Sequence, residues 1–248
     1  MYIIIKQVGP LASILLFSII ILAASILQTS TGFGFSIIAT PLLLLIFEPR
    51  EAIQINLIIS LVISFALINN IKKDVDVGIV RRFAWGSVLG LPLGLAVFLY
   101  MEVNVLKIII SIIILLLTAL LLLRFKMNQT EQRDYIAGGF SGAFTTSIGM
   151  PGPPILLYFS GTHTKKEKLR ATTLAFYLFI YFVSLAIQVV AAGTSKLIWL
   201  SSISALPLVA IGLLLGQLLF KRINQALFQK LTYVLLLFTG IYLLIEQL

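Results

Sequence analysis

Apolar positions in this chain fall in long blocks separated by short polar or charged stretches. The blocks run from Leu11 to Leu27, through Gly32 to Phe47, then at about Ala52–Ile71, Phe83–Tyr100 and Val105–Leu123. The second half repeats the rhythm with Tyr135–Ser147, Pro153–Ser160, Ala171–Ala192, Leu197–Phe220 and Ala226–Ile245. A helix crosses a bilayer with about 20 apolar residues. The pattern therefore predicts an all-α, polytopic integral membrane protein of about eight to ten transmembrane segments.

Two blocks are interrupted in the middle. Ser147-Ile148-Gly149-Met150-Pro151-Gly152-Pro153-Pro154 lies in a stretch without a charged residue from Tyr135 to Gly161. Pro151, Pro153 and Pro154 cannot share one regular helix, because each lacks an N–H and clashes with the preceding turn. The helix entering from Tyr135 must break near Gly149, and a short second helix starts at the prolines, which favour a first-turn position. Near the N-terminus, Gln28-Thr29-Ser30-Thr31 followed by Gly32-Phe33-Gly34-Phe35-Ser36 interrupts the first block in the same way. Irregular backbone at membrane depth is tolerated only where it is buried in protein or lines a wet cavity, so both stretches point to a site.

Composition agrees with the membrane reading. The 248 residues are 60% hydrophobic and 11% charged, with a mean hydropathy of +1.10, which leaves too little polar surface for a soluble domain. With no cysteine there is no disulfide, thiol nucleophile or cysteine metal site. The net charge of +9 is not a nucleic-acid footprint, since no basic patch is interleaved with aromatics. It reports orientation instead. One set of loops holds Lys72, Lys73, Arg81, Arg82, Arg124, Lys126, Arg133, Lys165, Lys166, Lys168, Arg170, Lys221, Arg222 and Lys230, fourteen of the 18 basic residues. Lys6, Arg50, Lys107 and Lys196 form the other set. The bias puts the first set in the cytoplasm and both termini outside a cell membrane. Trp85 and Trp199, near segment starts, read as interfacial anchors.

The two broken stretches also align with each other. Gly32 falls on Gly149, Ala52 near Ala171, Gly90-Leu91-Pro92-Leu93-Gly94 on Gly212-Leu213-Leu214-Leu215-Gly216, and the residues after Val105 on those after Leu227. Each half carries a broken pair and three spans. Five segments is an odd number, so the second half lies upside down relative to the first. The expected organisation is one membrane domain: a first inverted repeat at 1–124, a cytoplasmic linker at 125–134 and a second inverted repeat at 135–248. Inverted repeats with paired breaks mark secondary transporters, with substrate where the breaks meet near the midplane. The spacings Gly86, Gly90, Gly94 and Gly212, Gly216, with Gly138 and Gly142, suit close helix packing in lipid.

On these residues the chain resembles the sulfite exporter TauE/SafE family over nearly its whole length. The most specific parts are Thr31-Gly32-Phe33-Gly34-Phe35 with Pro41 downstream, and Gly138–Gly142 followed by Gly149-Met150-Pro151-Gly152-Pro153-Pro154. The resemblance implies an integral membrane carrier for sulfite, sulfonates and related sulfur-containing or organic anions. The chain departs from the family's usual pattern at Phe33 and Phe35, where more glycine is common. It departs again at Met150, Pro151 and Pro153, within what is often a glycine run.

The breaks suit an anion. Half-helices starting near Gly34 and Gly152 can aim unpaired N–H groups and positive dipole ends at a shared cavity, and glycine lets backbone approach a ligand. Hydroxyls at Ser30, Thr31, Ser36, Thr145, Thr146 and Ser147 can add neutral donors, or simply satisfy carbonyls freed at a kink. The expected substrate-binding set is Ser30, Thr31, Gly32, Phe33, Gly34, Phe35, Ser147, Gly149, Met150, Pro151, Gly152 and Pro153, with Asn56, Thr172 and Arg170 along the pathway. For Asn56 and Thr172 the default is an interhelical hydrogen bond. For Arg170 it is a solvated anchor on the positive-inside loop. His163, alone in a Lys-rich loop, reads as a surface residue.

No carboxylate is placed within a span: Glu48, Glu51, Glu102 and Glu246 fall outside, and Asp74, Asp76, Glu131, Asp134 and Glu167 inside. A proton relay of the usual intramembrane kind is therefore absent. The catalytic pairs of an enzyme are absent too, and no cofactor or metal is expected. The expected function is a secondary carrier of a small anion, sulfite or organosulfonate first, working by alternating access in contact with the lipid bilayer. The alternatives are an anion-selective channel on the same scaffold, a carrier for carboxylate anions, and a partner or scaffold subunit. Assembly into a homo-oligomer is left open.

Overall fold

A computed structural model describes residues 10–102, 129–160 and 164–222 continuously, with isolated positions from 105 to 119 and from 224 to 245. Most of Val105–Leu123 and Ala226–Ile245, positions 125–128 of the linker, and His163 lie outside the described residues. Among the described residues the ordered elements are helical. They are α1 (Pro10–Thr31), α2 (Phe35–Leu43), α3 (Pro49–Ile71), α4 (Val77–Tyr100), α5 (Glu131–Ile148), α6 (Gly152–Ser160), α7 (Lys166–Ala192) and α8 (Lys196–Arg222), with a 3-10 turn at Lys72–Asp74. Five of the described helices are long and apolar enough to cross a membrane: α1, α3, α4, α7 and α8.

Caps and breakers set the boundaries. Glu48 and Glu51 form a capping box at the start of α3, and the Asp76 carboxylate accepts the Ile79 N–H at 3.0 Å to start α4. The end of α5 is a Schellman turn. Gly149, at φ 72°, donates its N–H to the Thr145 carbonyl, and Met150 donates to Phe144. Gly32 (φ 87°) and Gly34 (φ 108°) provide the corresponding break after α1.

The short helices α2 and α6 fold back along the helices that precede them. Beside α5, the Ser141 hydroxyl donates to the Pro151 carbonyl near the tip, and Tyr158 hydrogen-bonds Asp134 at the base. Beside α1, Leu27 packs against Gly34 near the tip, and the Phe17 and Phe47 rings meet edge-on at 5.7 Å near the base. Each broken stretch is thus a hairpin that enters and leaves at the same end of the bundle.

The two hairpins enter from opposite ends. The basic loops gather at one end: Arg82 of α4 pairs with Glu131 and Asp134 of α5, Lys168 of α7 pairs with Asp76, and Lys166 and Arg170 lie over Phe220 of α8. The α5–α6 hairpin starts there. The α1–α2 hairpin starts at the other end and brings its tip toward this one, with Gly32 packed on Arg170.

Glycines place the long helices. The space a Cβ would need at Gly86, Gly90 and Gly94 of α4 is taken by Tyr135, Gly139 and Ala143 of α5. Gly212 and Gly216 of α8 are closed in by Ser25 and Thr29 of α1. In lipid, such backbone proximity replaces the hydrophobic drive between helices. Helix α4 of the first half therefore packs on the second hairpin, and α8 of the second half packs on the first. Trp85 and Trp199 are both exposed on the bundle surface, as anchoring requires.

Candidate functional site

Helices α3 and α7 cross the centre and carry a buried polar seam. Ser60, Ser64, Gln54 and Asn56 of α3 are buried, as are Thr172, Thr173, Tyr177, Tyr181, Ser184 and Gln188 of α7. In hydrocarbon each such group needs a partner, because water is not there to supply one. Two partners are carbonyls at the second break: the Asn56 amide donates to the Gly149 carbonyl and Gln188 to Thr146, each at 2.7 Å. Gln28 of α1 instead donates to the mid-helix Ser60 carbonyl of α3 at 3.2 Å.

Every expected site residue is buried. Their hydrogen-bond roles differ. Ser30 and Thr31 donate to the Leu27 carbonyl at 3.0 and 2.7 Å, and Ser147 donates to Ala143 at 2.7 Å. These hydroxyls serve the last turns of their own helices. Phe33 and Met150 cover the two breaks with apolar side chains, exposed by 2% and 0%. Thr172 accepts the Asp76 N–H at 3.0 Å, so it ties α7 to the loop before α4 rather than to either break.

Arg170 differs most from its expected default. It is not a solvated anchor: it is 8% exposed, its Nε donates to the Thr29 carbonyl at 2.9 Å, and its guanidinium lies 4.3 Å over the Phe220 ring. The cation is held against the end of α1, where the last carbonyls and the negative dipole end lie. Asp134 also departs from the loop placement read from sequence. It is fully buried and pairs with Arg82 Nε at 2.6 Å. Because it is so paired, it braces the base of the second hairpin.

The tips of the two hairpins do not meet. Gly32 packs on Arg170 near the start of α7, whereas Thr146, beside the second tip, bonds Ser184 at 2.9 Å. The stretch of α7 from Arg170 to Ser184 is about 21 Å long at 1.5 Å per residue. What does come together is the starts of the short helices. Gly152, the first residue of α6, lies against Ile37 of α2, its Cβ position 3.4 Å from Ile37 Cδ1. The same position is 3.2 Å from the Tyr177 hydroxyl, and Ser36 Oγ stands 3.5 Å from the Tyr181 hydroxyl. The two tyrosine rings are in edge contact at 5.2 Å. Two positive helix ends, a serine and two phenols thus share one buried volume in the middle of the bundle.

Sequence reasoning passed over both tyrosines. Aromatics in apolar helices are read as interface anchors, but Tyr177 and Tyr181 sit well inside a 27-residue span, beyond the interface. That position, with one helical turn between them, was the available signal.

At the end of the bundle away from the basic loops, a pocket of about 250 Å³ lies between the start of α3 and the end of α4. Arg50 lines it and lies 5.9 Å over the Phe98 ring. Its floor includes Ile53, whose Cγ2 is 3.5 Å from the Cβ position at Gly149. Among the described residues there is no cluster of three His, Asp or Glu able to hold a metal.

The family model described as Sulfite exporter TauE/SafE matches residues 16–243. No curated protein and no solved structure matches the chain. The matched family consists of membrane transporters and not of enzymes, in line with the reading of the carboxylates.

Proposed function

We propose, because the chain belongs to the sulfite exporter TauE/SafE family, that it is a secondary carrier of small sulfur oxyanions, sulfite or an organosulfonate. Substrate binds where the short helices α2 and α6 begin, and the protein works by alternating access. The observation that carries this reading is the adjacency of those two helix starts, Gly152 against Ile37, at membrane depth. Unpaired N–H groups and positive dipole ends favour an anion there without a neighbouring lysine.

Three further features support it. The opposed hairpins and the exchange of α4 and α8 between halves fit inverted repeats at 1–124 and 135–248, the arrangement in which one half rocks against the other. The basic loops at one end fit a cytoplasmic face with both termini outside a cell membrane. Arg50, beside the pocket at one end of the bundle, and Arg170, toward the other end, would make both ends attractive to anions.

A thermal-shift screen of the purified protein in detergent tests the substrate class. Sulfite, thiosulfate, sulfate, taurine, sulfoacetate and a few carboxylates make up the panel. A ligand at one hundred times its dissociation constant stabilises the folded state by about 2.7 kcal/mol. The reading predicts a raised melting temperature with sulfite or a sulfonate. Stabilisation by carboxylates alone would overturn the sulfur-anion assignment and leave the fold in place.

A further inference from the structure

We propose that Tyr177 and Tyr181 are the side-chain donors that bind the transported oxyanion, Tyr177 at the start of α6 and Tyr181 at the start of α2. The inference rests on the carrier reading above and adds the residues that confer its specificity.

The two helix starts differ in the backbone donors they offer. The first turn of a helix offers up to four free N–H groups. At α2, Phe35, Ser36 and Ile37 follow the Gly34 cap and each has one. At α6, Pro153 and Pro154 stand directly after Gly152 and have none. An anion between the two starts would find a full set of backbone donors on one side and a depleted set on the other. Tyr177 stands on the depleted side. It is fully buried, its hydroxyl is 3.2 Å from the Cβ position at Gly152, and that hydroxyl has no hydrogen-bond partner among the described residues.

A buried hydroxyl without a partner costs about 1–3 kcal/mol relative to one that is paired. Phenylalanine would fill the same volume without that cost. Tyr181 makes the complementary approach to α2, with Ser36 Oγ 3.5 Å from its hydroxyl. One helical turn separates the two tyrosines, so they lie on one face of α7 and their rings touch. The site they outline suits a compact oxyanion with at least two acceptor oxygens, one toward each phenol. By contrast, the hydroxyls of Ser30, Thr31 and Ser147 already donate within their own helices.

Full-length Tyr177→Phe and Tyr181→Phe, reconstituted in liposomes, test the assignment through sulfite KM and Vmax, with melting temperatures in detergent measured alongside. Removing one hydrogen bond to a charged ligand raises KM about tenfold for Tyr177→Phe, and less for Tyr181→Phe, beside which Ser36 still stands. Without anion, the melting temperature of Tyr177→Phe equals or exceeds that of the parent, because an unsatisfied group has gone. In the same variant, the stabilisation by sulfite shrinks. Unchanged KM in both variants, beside a parent that transports sulfite, would overturn the tyrosine assignment and leave the carrier reading intact. A lowered melting temperature with unchanged KM would make the phenols structural and overturn it as well. A parent neither stabilised by nor transporting any sulfur anion would remove the carrier reading and this inference with it.

Discussion

The α1–α2 and α5–α6 hairpins have the same shape and are held by different chemistry. At its tip, Gly32 of the first hairpin presses on backbone: a Cβ there would lie 2.8 Å from Arg170 Cα and 3.0 Å from its carbonyl oxygen. Gly149 of the second presses on a side chain, the Asn56 amide nitrogen at 2.6 Å. At the base, the first hairpin closes with the Phe17–Phe47 ring contact, the second with the buried Asp134 between Tyr158 and Arg82. The first tip is therefore locked into the fold. The second is held by side-chain hydrogen bonds, Asn56 to the Gly149 carbonyl and Gln188 to the Thr146 carbonyl, and by a polar brace at its base.

Removing the brace gives the largest effect. Asp134→Ala leaves Arg82 half-paired, with only the exposed Glu131 at 3.4 Å, and leaves the Tyr158 hydroxyl without its acceptor. Breaking a buried pair costs about 3–5 kcal/mol, and a denaturation midpoint in detergent lowered to match is the expected result.

The tips come next, and here the comparison is sharpest. Gly32→Ala and Gly149→Ala both place a Cβ at positive φ, a strain of about 1–2 kcal/mol before any clash. Adding Asn56→Ala to Gly149→Ala removes the obstacle, so the double variant is more stable than the sum of its parts by about 1 kcal/mol. Adding Arg170→Ala to Gly32→Ala gives no such relief, because Arg170 Cα and carbonyl oxygen remain. Double-mutant cycles on melting temperature read both couplings. Equal rescue at the two tips would erase the distinction.

At the base of the first hairpin, Phe47→Leu removes only an edge-on ring contact. The expected loss is about 0.5–1.5 kcal/mol, well below that for Asp134→Ala.

The smallest effect lies where the halves are tied at the basic end. The hydrogen bond from Lys168, at 2.7 Å, is the main cause that holds the Asp76 carboxyl below its ordinary 3.8, helped by the Ile79 N–H. A lowered folded-state value means the pair stabilises fully above pH 3.8 and is lost as the pH falls through the lower folded value. Asp76→Asn keeps a cap and loses the charge. Its melting temperature falls slightly at neutral pH, by less than about 1 kcal/mol in free energy, and the difference from the parent closes in acid.

Much of this architecture is legible in the sequence. Glycines and prolines inside charge-free runs mark both breaks, because backbone rules hold whatever surrounds them. The short helices start where Gly34 and the 152–154 stretch place them, and Gly86, Gly90, Gly94, Gly212 and Gly216 do pack against facing helices. Burial of the polar residues is not legible in the same way. Asp134 and Arg170 sit one turn inside helices that open with charged residues, so sequence position alone assigns them to solvent. Only tertiary packing brings Arg82 or Phe220 over them. Nor does a hydropathy block reveal that Gly32 packs on Arg170 while Gly149 packs on Asn56, at different depths of the bundle.

Counterflow in liposomes tests the central claim most directly. Purified protein is reconstituted, the vesicles are loaded with unlabelled sulfite, and entry of labelled sulfite is followed over a range of outside concentrations. The account predicts saturable entry that is accelerated by sulfite inside, because a carrier returns faster loaded than empty. Entry that rises linearly with concentration and ignores the inner sulfite, at rates beyond a conformational cycle, would contradict alternating access and indicate an anion channel on the same scaffold.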